Sequence, residues 1–269
     1  MTTEIIDILL SDKSITSWNK LTSHTEYSQG SSLRRYCRKQ GIYEIISKEL
    51  KSRKRVYGFG INDVDYCVQK NERYIDDTGK QRIKILWKCK YYTKWSDMIK
   101  RGYCKKEKIR YPTYSNVKVC DDWRYFSKFR LWCLEYEQEH NIDIEDFNLD
   151  KDLLSDMEIY SPETSCFLPP VVNMFIAEDR VTSSTGLVGS SYHRSSDKYQ
   201  AGCNNPLTKR SEYLGLHTTS EQAHLKWAEC KFKIAKEIVT KGLLSYDKVL
   251  EQALVRKYTN KLEYAQKLL

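Results

Sequence analysis

The sequence lacks several features that assign other chains to whole classes of protein. Its nine cysteines are widely and irregularly spaced and include no Cys-x-x-Cys pair, which argues against a zinc site and favours reduced, mostly buried thiols. No stretch approaches the ~20 consecutive apolar residues that a membrane-spanning helix needs. The opening segment MTTEIIDILLSDKS carries acidic residues where a secretory signal has basic ones. We therefore expect a soluble, cytoplasmic protein with no membrane partner.

The charge balance and the aromatic content favour a polyanionic partner. The 269 residues include 45 Lys and Arg against 36 Asp and Glu, which gives a formal net charge of +9, and there are 20 Tyr and 6 Trp. Basic proteins rich in tyrosine often place rings and cations together on nucleic-acid surfaces. The alternative is that these rings fill the cores of two or three small domains, the number that the length predicts.

Residues 1–55 are predicted to be helical. Ser31–Gln40 reads as a helix capped by serine and ended by Gly41, and a further helix runs over Tyr43–Leu50. Two such helices form either a helix-turn-helix or a small helical cap. The basic run Lys51–Arg55 is interpreted as a linker, with phosphate contact as the alternative.

A middle region, residues 56–180, mixes strands and helices. Arg82–Tyr91 alternates as a strand does, and Tyr92–Tyr103 has helical spacing. A helix capped by Asp121 and Asp122 carries an apolar stripe at intervals of three that belongs to a core: Trp123, Phe126, Phe129 and Trp132.

The segment Glu135–Glu163 is strongly acidic within this basic chain. It holds eleven carboxylates, and Lys151 is its only lysine or arginine. The block indicates either a divalent-metal site or a solvated face that repels DNA. Most of its acids have no role as ligands on either interpretation, because one ion needs only two or three.

The last region, residues 183–269, begins at a plausible joint, Ser183–Gly186. It then reads as three short strands and an amphipathic helix. The helix starts with one of two capping pairs, Thr218 with Glu221 or Thr219 with Gln222. A final helix from about Tyr246 ends the chain, with an apolar side made of Val249, Leu250, Leu254 and Tyr258.

The stretch from Gly186 to Ala235, GLVGSSYHRSSDKYQAGCNNPLTKRSEYLGLHTTSEQAHLKWAECKFKIA, resembles the plant Apetala/ethylene-response-factor (ERF) type DNA-binding domain, in the form appended to phage HNH homing endonucleases. The resemblance implies a three-stranded sheet that enters the major groove of double-stranded DNA while a helix covers its reverse. It places two sets of residues at the DNA: Ser191, His193, Gln200, Asn204 and Tyr213 on the sheet face, and Arg194, Lys198 and Arg210 at the phosphates.

The middle region carries a second resemblance. The motifs are Tyr114–Phe129, Leu149–Asp152, Tyr160–Pro169 and then Asn173, and they are similar to phage proteins related to HNH (ββα-metal) endonucleases. That family binds Mg²⁺ or Mn²⁺ at the scissile phosphate. Position by position, the resemblance implies these roles: Asp150 and Thr164 as metal ligands, Lys151 at the general-base position, Asn173 as the helical asparagine, and Asp152 as a substitute ligand or base.

Two departures from the family pattern bear on catalysis. Lys151 is a poor general base unless burial lowers its pKa, and Thr164 is a weaker ligand than asparagine. The nearest histidine in the sequence is His140.

Two hypotheses follow for an α+β chain with an HNH-like middle domain. One is a metal-dependent phage-type DNA endonuclease. The other is a catalytically decayed relative that binds DNA or a host protein. Convergence of Asp150, Asp152 and Asn173 around a cation-sized gap would favour the enzyme, and a Lys151–Asp152 ion pair in that gap would favour the binder.

Overall fold

A computed structural model describes residues 2–12, 14–177, 183 and 185–269, without the side chains of residues 51–53. Ser184, in the expected joint, and residue 180, the expected end of the middle region, lie outside the described residues. Contacts between Cα atoms divide the chain into two units, Met1–Cys133 and Leu134–Leu269.

The first unit contains most of the short helices of the chain. Its helices are α1 Thr2–Ser11, α2 Trp18–Thr22, α3 Gly30–Lys39, α4 Tyr43–Arg53, α5 Lys90–Tyr103, α6 Lys105–Arg110 and the beginning of α7 Phe126–His140. Its strands are β1 Arg55–Val56, β2 Gly60–Ile61, β3 Gln69–Ile75, β4 Gln81–Lys88 and β5 Lys118–Val119.

The N-terminal helices enclose a small apolar cluster of their own. In α3, Leu33 and Cys37 are one helical turn apart and both are fully buried. Gly41, in the left-handed region at φ +72°, reverses the chain between α3 and α4. Helix α4 continues to Arg53, so the run Lys51–Arg55 is mostly helix end and not the linker that the sequence suggested.

The rest of the first unit is organised by aromatic side chains. Helix α5 buries Trp95, Met98 and Ile99, as its spacing predicts, and the Trp95 indole donates a hydrogen bond of 2.7 Å to the Trp123 carbonyl. The predicted strand Arg82–Tyr91 is too long, because β4 ends at Lys88 and α5 begins at Lys90.

The predicted helix after Asp121 begins later than expected. A 3-10 turn at Asp122–Arg124 comes first, and α7 starts at Phe126. The core role of the aromatic stripe is confirmed for Trp123, Phe126 and Phe129, which are all buried.

The second unit contains two small antiparallel sheets and three further helices. Its elements are β6 Asn148–Asp150, β7 Ile159–Tyr160, β8 Cys166–Leu168, α8 Pro170–Ala177, β9 Ser190–His193, β10 Lys198–Asn205, β11 Arg210–His217, α9 Ser220–Thr240 and α10 Lys248–Lys267. Strand β6 pairs with β8 in antiparallel fashion, with Leu149 opposite Phe167, and α8 follows β8 and packs against β6.

The C-terminal sheet has the order β11-β10-β9 and is antiparallel throughout. Helix α9 packs against all three strands, and α10 packs against α9. The mixed helix-and-strand composition with a three-stranded antiparallel sheet near the C-terminus is therefore confirmed.

The ends of the last two helices settle two details of the sequence interpretation. Thr219 caps α9, its hydroxyl accepting a hydrogen bond of 3.2 Å from the Gln222 amide, so the second capping pair is the one formed. On α10, Leu250, Leu254 and Tyr258 are buried, but Val249 is 63% exposed and does not belong to the apolar side.

All nine cysteines are free thiols, and six are buried. Among the described residues, no helix is both long and apolar enough to cross a bilayer.

Candidate nucleic-acid interface

The two faces of the C-terminal sheet differ sharply in burial. In β10, Ala201, Cys203 and Asn205 are buried on the side of α9. Because side chains alternate along a strand, Gln200 and Asn204 point to the other side, where Asn204 is exposed. One face is thus core and the other, called here the polar face, is open to solvent.

The register shows which residues share the polar face. Gln200 lies opposite Ser191 on one side and Leu216 on the other, and Lys198 lies opposite His193. Residues opposite each other in a ladder project to the same side. The pairs Gly202–Tyr213 and Asn204–Ser211 extend this face towards the second turn. The structure therefore brings together six of the residues singled out from the sequence: Ser191, His193, Lys198, Gln200, Asn204 and Tyr213.

Tyr213 is the largest side chain on the polar face, and 64% of it is exposed. Between Gln200 and Gly202 the pairing with β11 shifts register, and Gly215 opposite adopts φ +99°. Such an irregularity increases the local twist of a sheet. The polar face is therefore locally twisted at this point, and the Tyr213 ring stands on the edge strand β11.

The polar face carries no carboxylate from its strands. Glu212 is the only acidic residue in β9, β10 and β11, and it pairs with Cys203 on the buried side. There its Oε1 accepts a hydrogen bond of 2.8 Å from the Asn205 amide. An anion that approached the polar face would meet amides, hydroxyls, a phenol and Lys198, with no strand carboxylate to repel it.

Cations stand at the ends of the strands. Arg194 is exposed in the 3-10 turn between β9 and β10, and Lys198 is the exposed first residue of β10. Arg210 begins β11 opposite the buried Asn205, so it leaves the sheet at its edge and does not lie on the polar face. His193 is half-buried, and its Nδ1 lies 2.8 Å from the Ser196 hydroxyl.

Gly189 fixes the start of the sheet against α9. Its φ of +74° lies in the left-handed region, and a Cβ added there would overlap the Trp227 indole. His224, stacked on the same indole with ring centroids 5.3 Å apart, hydrogen-bonds through Nδ1 to the Val188 carbonyl at 2.8 Å. The chain entering β9 is therefore held directly on the helix that supports the sheet.

The predicted catalytic residues lie elsewhere in the second unit, around the end of β6. Asp150 is the last residue of β6 and is buried. Its Oδ1 accepts hydrogen bonds of 2.9 Å from the backbone amides of both Asp152 and Leu153. This arrangement ends the strand and starts the following turn.

Burial raises the pKa of the Asp150 carboxyl to about 6, and the charge of Asp152 adds to the rise. The two backbone amides and the Lys151 ammonium act in the opposite direction without cancelling it. Asp150 is consequently a carboxyl group whose charged form this environment disfavours.

Lys151 is held in an ion pair with its neighbour in sequence. Its ammonium lies 2.5 Å from Asp152 Oδ1, and its side chain is buried while that of Asp152 is 60% exposed. The paired lysine is a cation and has no lone pair with which to accept a proton. The ion pair that the sequence analysis associated with the binder hypothesis is therefore present.

The two remaining predicted residues do not complete a metal site. The Thr164 hydroxyl donates to the Ile159 carbonyl at 2.7 Å and accepts from the Ser161 amide at 3.1 Å, so it builds its own turn. Asn173 is half-buried on α8. Among the described residues there is no group of three or more His, Cys, Asp or Glu side chains placed to hold a metal ion.

His140 has structural partners of its own. Its Nε2 lies 3.8 Å from Asp247 Oδ2, and its Nδ1 lies 3.3 Å from the Tyr246 carbonyl. Its ring centroid is 4.2 Å from that of Tyr136. These contacts join α7 to the start of α10.

The strand pair β6–β8 and α8 are tied to the helices that support the C-terminal sheet. The buried Lys231 of α9 donates a hydrogen bond of 2.8 Å to the Phe175 carbonyl of α8, and its ammonium lies 4.1 Å from the centroid of the Phe175 ring. Lys257 of α10 donates to the Asp152 carbonyl at 2.8 Å. The Asp150 turn and the sheet scaffold are thus linked by direct hydrogen bonds.

Sequence reasoning missed Gly202, Ser211 and Leu216 on the polar face. Counting in steps of two from Asn204 and Tyr213 would have found Gly202 and Ser211. The displacement that brings Leu216 opposite Gln200 comes from the bulge, which the sequence does not reveal.

Comparisons of this chain with protein-family models, with curated proteins and with solved structures find no match.

Proposed function

We propose that this protein binds double-stranded DNA through the polar face of the sheet β9–β11. The observation that carries the proposal is the composition of that face, which has amide and hydroxyl side chains beside Tyr213 and no strand carboxylate. The reverse side packs on α9. A rigid sheet of this kind fits the major groove, where base edges offer hydrogen-bond donors and acceptors.

The residues divide between two kinds of contact. Gln200 and Asn204 both donate and accept hydrogen bonds and match base edges, adenine above all. Arg194 and Lys198 at the strand ends match phosphate oxygens, which position a protein without reading sequence. The net charge of +9 favours association with the same polyanion.

The test compares two double variants by fluorescence anisotropy on a labelled duplex library. Gln200→Ala with Asn204→Ala removes two amides from the polar face. Gln252→Ala with Asn260→Ala makes the same chemical change at exposed positions of α10. We expect the first variant to bind the selected sequence at least 30-fold more weakly, because each base contact contributes roughly 1–3 kcal/mol.

The control variant should bind as the wild type does, and wild-type affinity should fall steeply with salt as counterions are released. Equal affinity of the two double variants for the duplex would show that Gln200 and Asn204 of the polar face do not contact DNA. Absence of wild-type binding at low salt would overturn the proposal and favour the alternative of a host-protein partner.

Cleavage of the bound DNA, by a phage-type endonuclease using Mg²⁺ or Mn²⁺, is the second candidate function. It is supported by the order of β6, β8 and α8, with Asp150 ending the first strand and Asn173 on the helix that packs against it. The Lys151–Asp152 ion pair and the missing group of ligands among the described residues weigh against it.

Supercoiled DNA incubated with Mg²⁺ or Mn²⁺ tests cleavage directly. Nicking by the wild type that disappears in Asp150→Ala, but not in the exposed control Asp156→Ala, would support the nuclease. If the wild type, Asp150→Ala and Asp156→Ala all bind the DNA and none of them cuts it, the proposed function is DNA binding without cleavage.

A further inference from the structure

Strands β3 and β4 form a two-stranded ribbon that exposes both of its faces. Almost every residue of β3 and β4 is exposed. The exposed residues include large apolar ones, among them Ile75 at 73%, Ile83 at 62% and Trp87 at 51%. An isolated hairpin is marginally stable in water, and exposed apolar side chains in a cluster mark a contact surface.

The register separates the two faces of the ribbon by chemistry. Lys70 lies opposite Trp87, Glu72 opposite Lys84, and Tyr74 opposite Arg82. Lys70, Glu72 and Tyr74 alternate along β3 and share a side with their cross-strand partners, and a register shift between Lys70 and Asn71 keeps Trp87 on that side. These six residues form one face, called here the cationic face. It carries three cations, two aromatic rings and a single carboxylate.

The other face carries three isoleucines, three amide side chains and two cations, with Arg73 near its centre and Lys88 at its end. Ile85 lies opposite Asn71, Ile83 opposite Arg73, and Ile75 opposite Gln81. A second copy packed on this face about a twofold axis would bring two Arg73 side chains towards each other in the contact, and such like-charge pairs are costly. A second copy packed on the cationic face would place the lysines of the two copies close together, and their like charges would repel.

The turn at the tip holds the ribbon in shape. Asp76 Oδ1 accepts hydrogen bonds of 3.0 Å from the amides of Thr78 and Lys80, and Oδ2 lies 2.7 Å from Arg82 Nε. Gly79 completes the turn at φ +76°. The hairpin is therefore preorganised without a covering core.

We infer that the ribbon β3–β4 is a second DNA-contacting element, with the cationic face against the phosphate backbone. The inference rests on the proposed DNA binding by the polar face and adds a contact in the other unit of the chain. A two-stranded ribbon fits the major groove. Lys70 and Lys84 match phosphates, and the exposed ring of Trp87 beside them matches sugar and base edges. Among the described residues, no carboxylate forms an ion pair with either lysine.

The test uses the full-length protein and a duplex that the wild type binds. Lys70→Gln with Lys84→Gln removes two charges from the cationic face. Lys226→Gln with Lys248→Gln removes two charges from exposed sites on α9 and α10 and is the matched control. Trp87→Ala tests the ring separately. Circular dichroism checks that each variant is folded, and light scattering after size exclusion gives its oligomeric state.

We expect the ribbon double variant to bind roughly 3- to 30-fold more weakly at moderate salt. The slope of log Kobs against log salt should fall by about 2, since each phosphate contact contributes about 0.9. The control variant should change neither quantity.

Three results separate the possible failures. An unchanged slope in the ribbon variant, while Gln200→Ala with Asn204→Ala still weakens binding, would overturn this inference alone. Absence of wild-type binding would overturn the proposed function as well. A wild-type dimer that the ribbon variants dissociate would make a second copy the occupant of the ribbon and would also overturn the inference.

Discussion

Asp150→Asn is expected to stabilise the protein at neutral pH and to change how stability depends on pH. The carboxyl is buried, and its Oδ1 accepts two backbone amide hydrogen bonds. An asparagine oxygen can accept the same two bonds, so the substitution keeps the turn after β6. It removes the ability to ionise and replaces Oδ2 by an amide NH2 group.

The magnitude follows from the shift in the pKa of Asp150 from 3.8 to about 6. At about 1.4 kcal/mol for each pKa unit, the folded environment disfavours the charged form by roughly 3 kcal/mol. The folded protein holds this proton more tightly than the unfolded chain does. Stability from Asp150 is therefore complete below about pH 4 and is lost as the pH rises towards 6 and beyond. Between pH 4 and pH 7 the wild type should lose about 2 kcal/mol that Asp150→Asn keeps.

Urea denaturation followed by circular dichroism at pH 4, 5, 6 and 7 measures this difference. Asp156→Asn, an identical change at an exposed position of the next turn, is the control. The gap between Asp150→Asn and the control should open across the range from pH 4 to pH 6. Parallel pH profiles for the two variants would refute the argument that burial penalises the Asp150 charge.

Three further predictions test other parts of the structure. Gly189→Ala should destabilise the fold by about 3 kcal/mol in thermal denaturation, because the new methyl group overlaps the Trp227 indole at a left-handed φ; a neutral result would mean that β9 does not pack there. Thr219→Ala should cost about 1 kcal/mol through loss of the α9 cap, whereas Thr219→Ser should not, as urea denaturation of both variants would reveal. Hydrogen bonds lower the pKa of Asp76 to about 2, so the stability they give the ribbon turn should persist above about pH 4 and disappear as the pH falls towards 2. The protection of the turn amides, measured relative to their intrinsic exchange rate at each pH, should fall over that range in the wild type and stay constant in Asp76→Asn.

Local patterns were sufficient to predict most of the elements near the C-terminus. Alternation with intervening turn residues predicted β9 to β11 and an amphipathic helix after them. That helix is α9, and it buries Ala223, Trp227, Cys230 and Ile234. These signals work because one side of each element faces a core and the other faces water.

The sequence was less informative where tertiary contacts decide the outcome. The residues Trp87 to Tyr91 suit a strand, but α5 starts at Lys90 because its inner side, with Trp95 and Met98, packs into the core. Alternation in Arg82–Tyr91 predicts a strand with one buried face, whereas both faces of β4 are exposed. Burial of a strand face depends on what the rest of the chain places beside it.

In the candidate site, too, features set by the strands could be predicted, whereas features set by tertiary contacts could not. The resemblance to the ERF-type domain implied that Gln200, Asn204 and Tyr213 share one face, and the strand pairing brings them to one side of the sheet. The partner of Lys151 depends on the turn that Asp150 imposes on the next two residues, and adjacency in sequence alone did not determine it.

The hydrogen bond from Lys231 to the Phe175 carbonyl limits how this protein can be divided. A fragment beginning at Gly186 would keep the sheet and α9 but would lose both the carbonyl and the ring that surround the Lys231 ammonium. Tyr258 of α10, whose hydroxyl donates to the same carbonyl at 3.4 Å, would lose its partner too. The sheet and α9 are therefore not an independent domain. A fusion protein that keeps their native contacts has to include the chain from β6 onward.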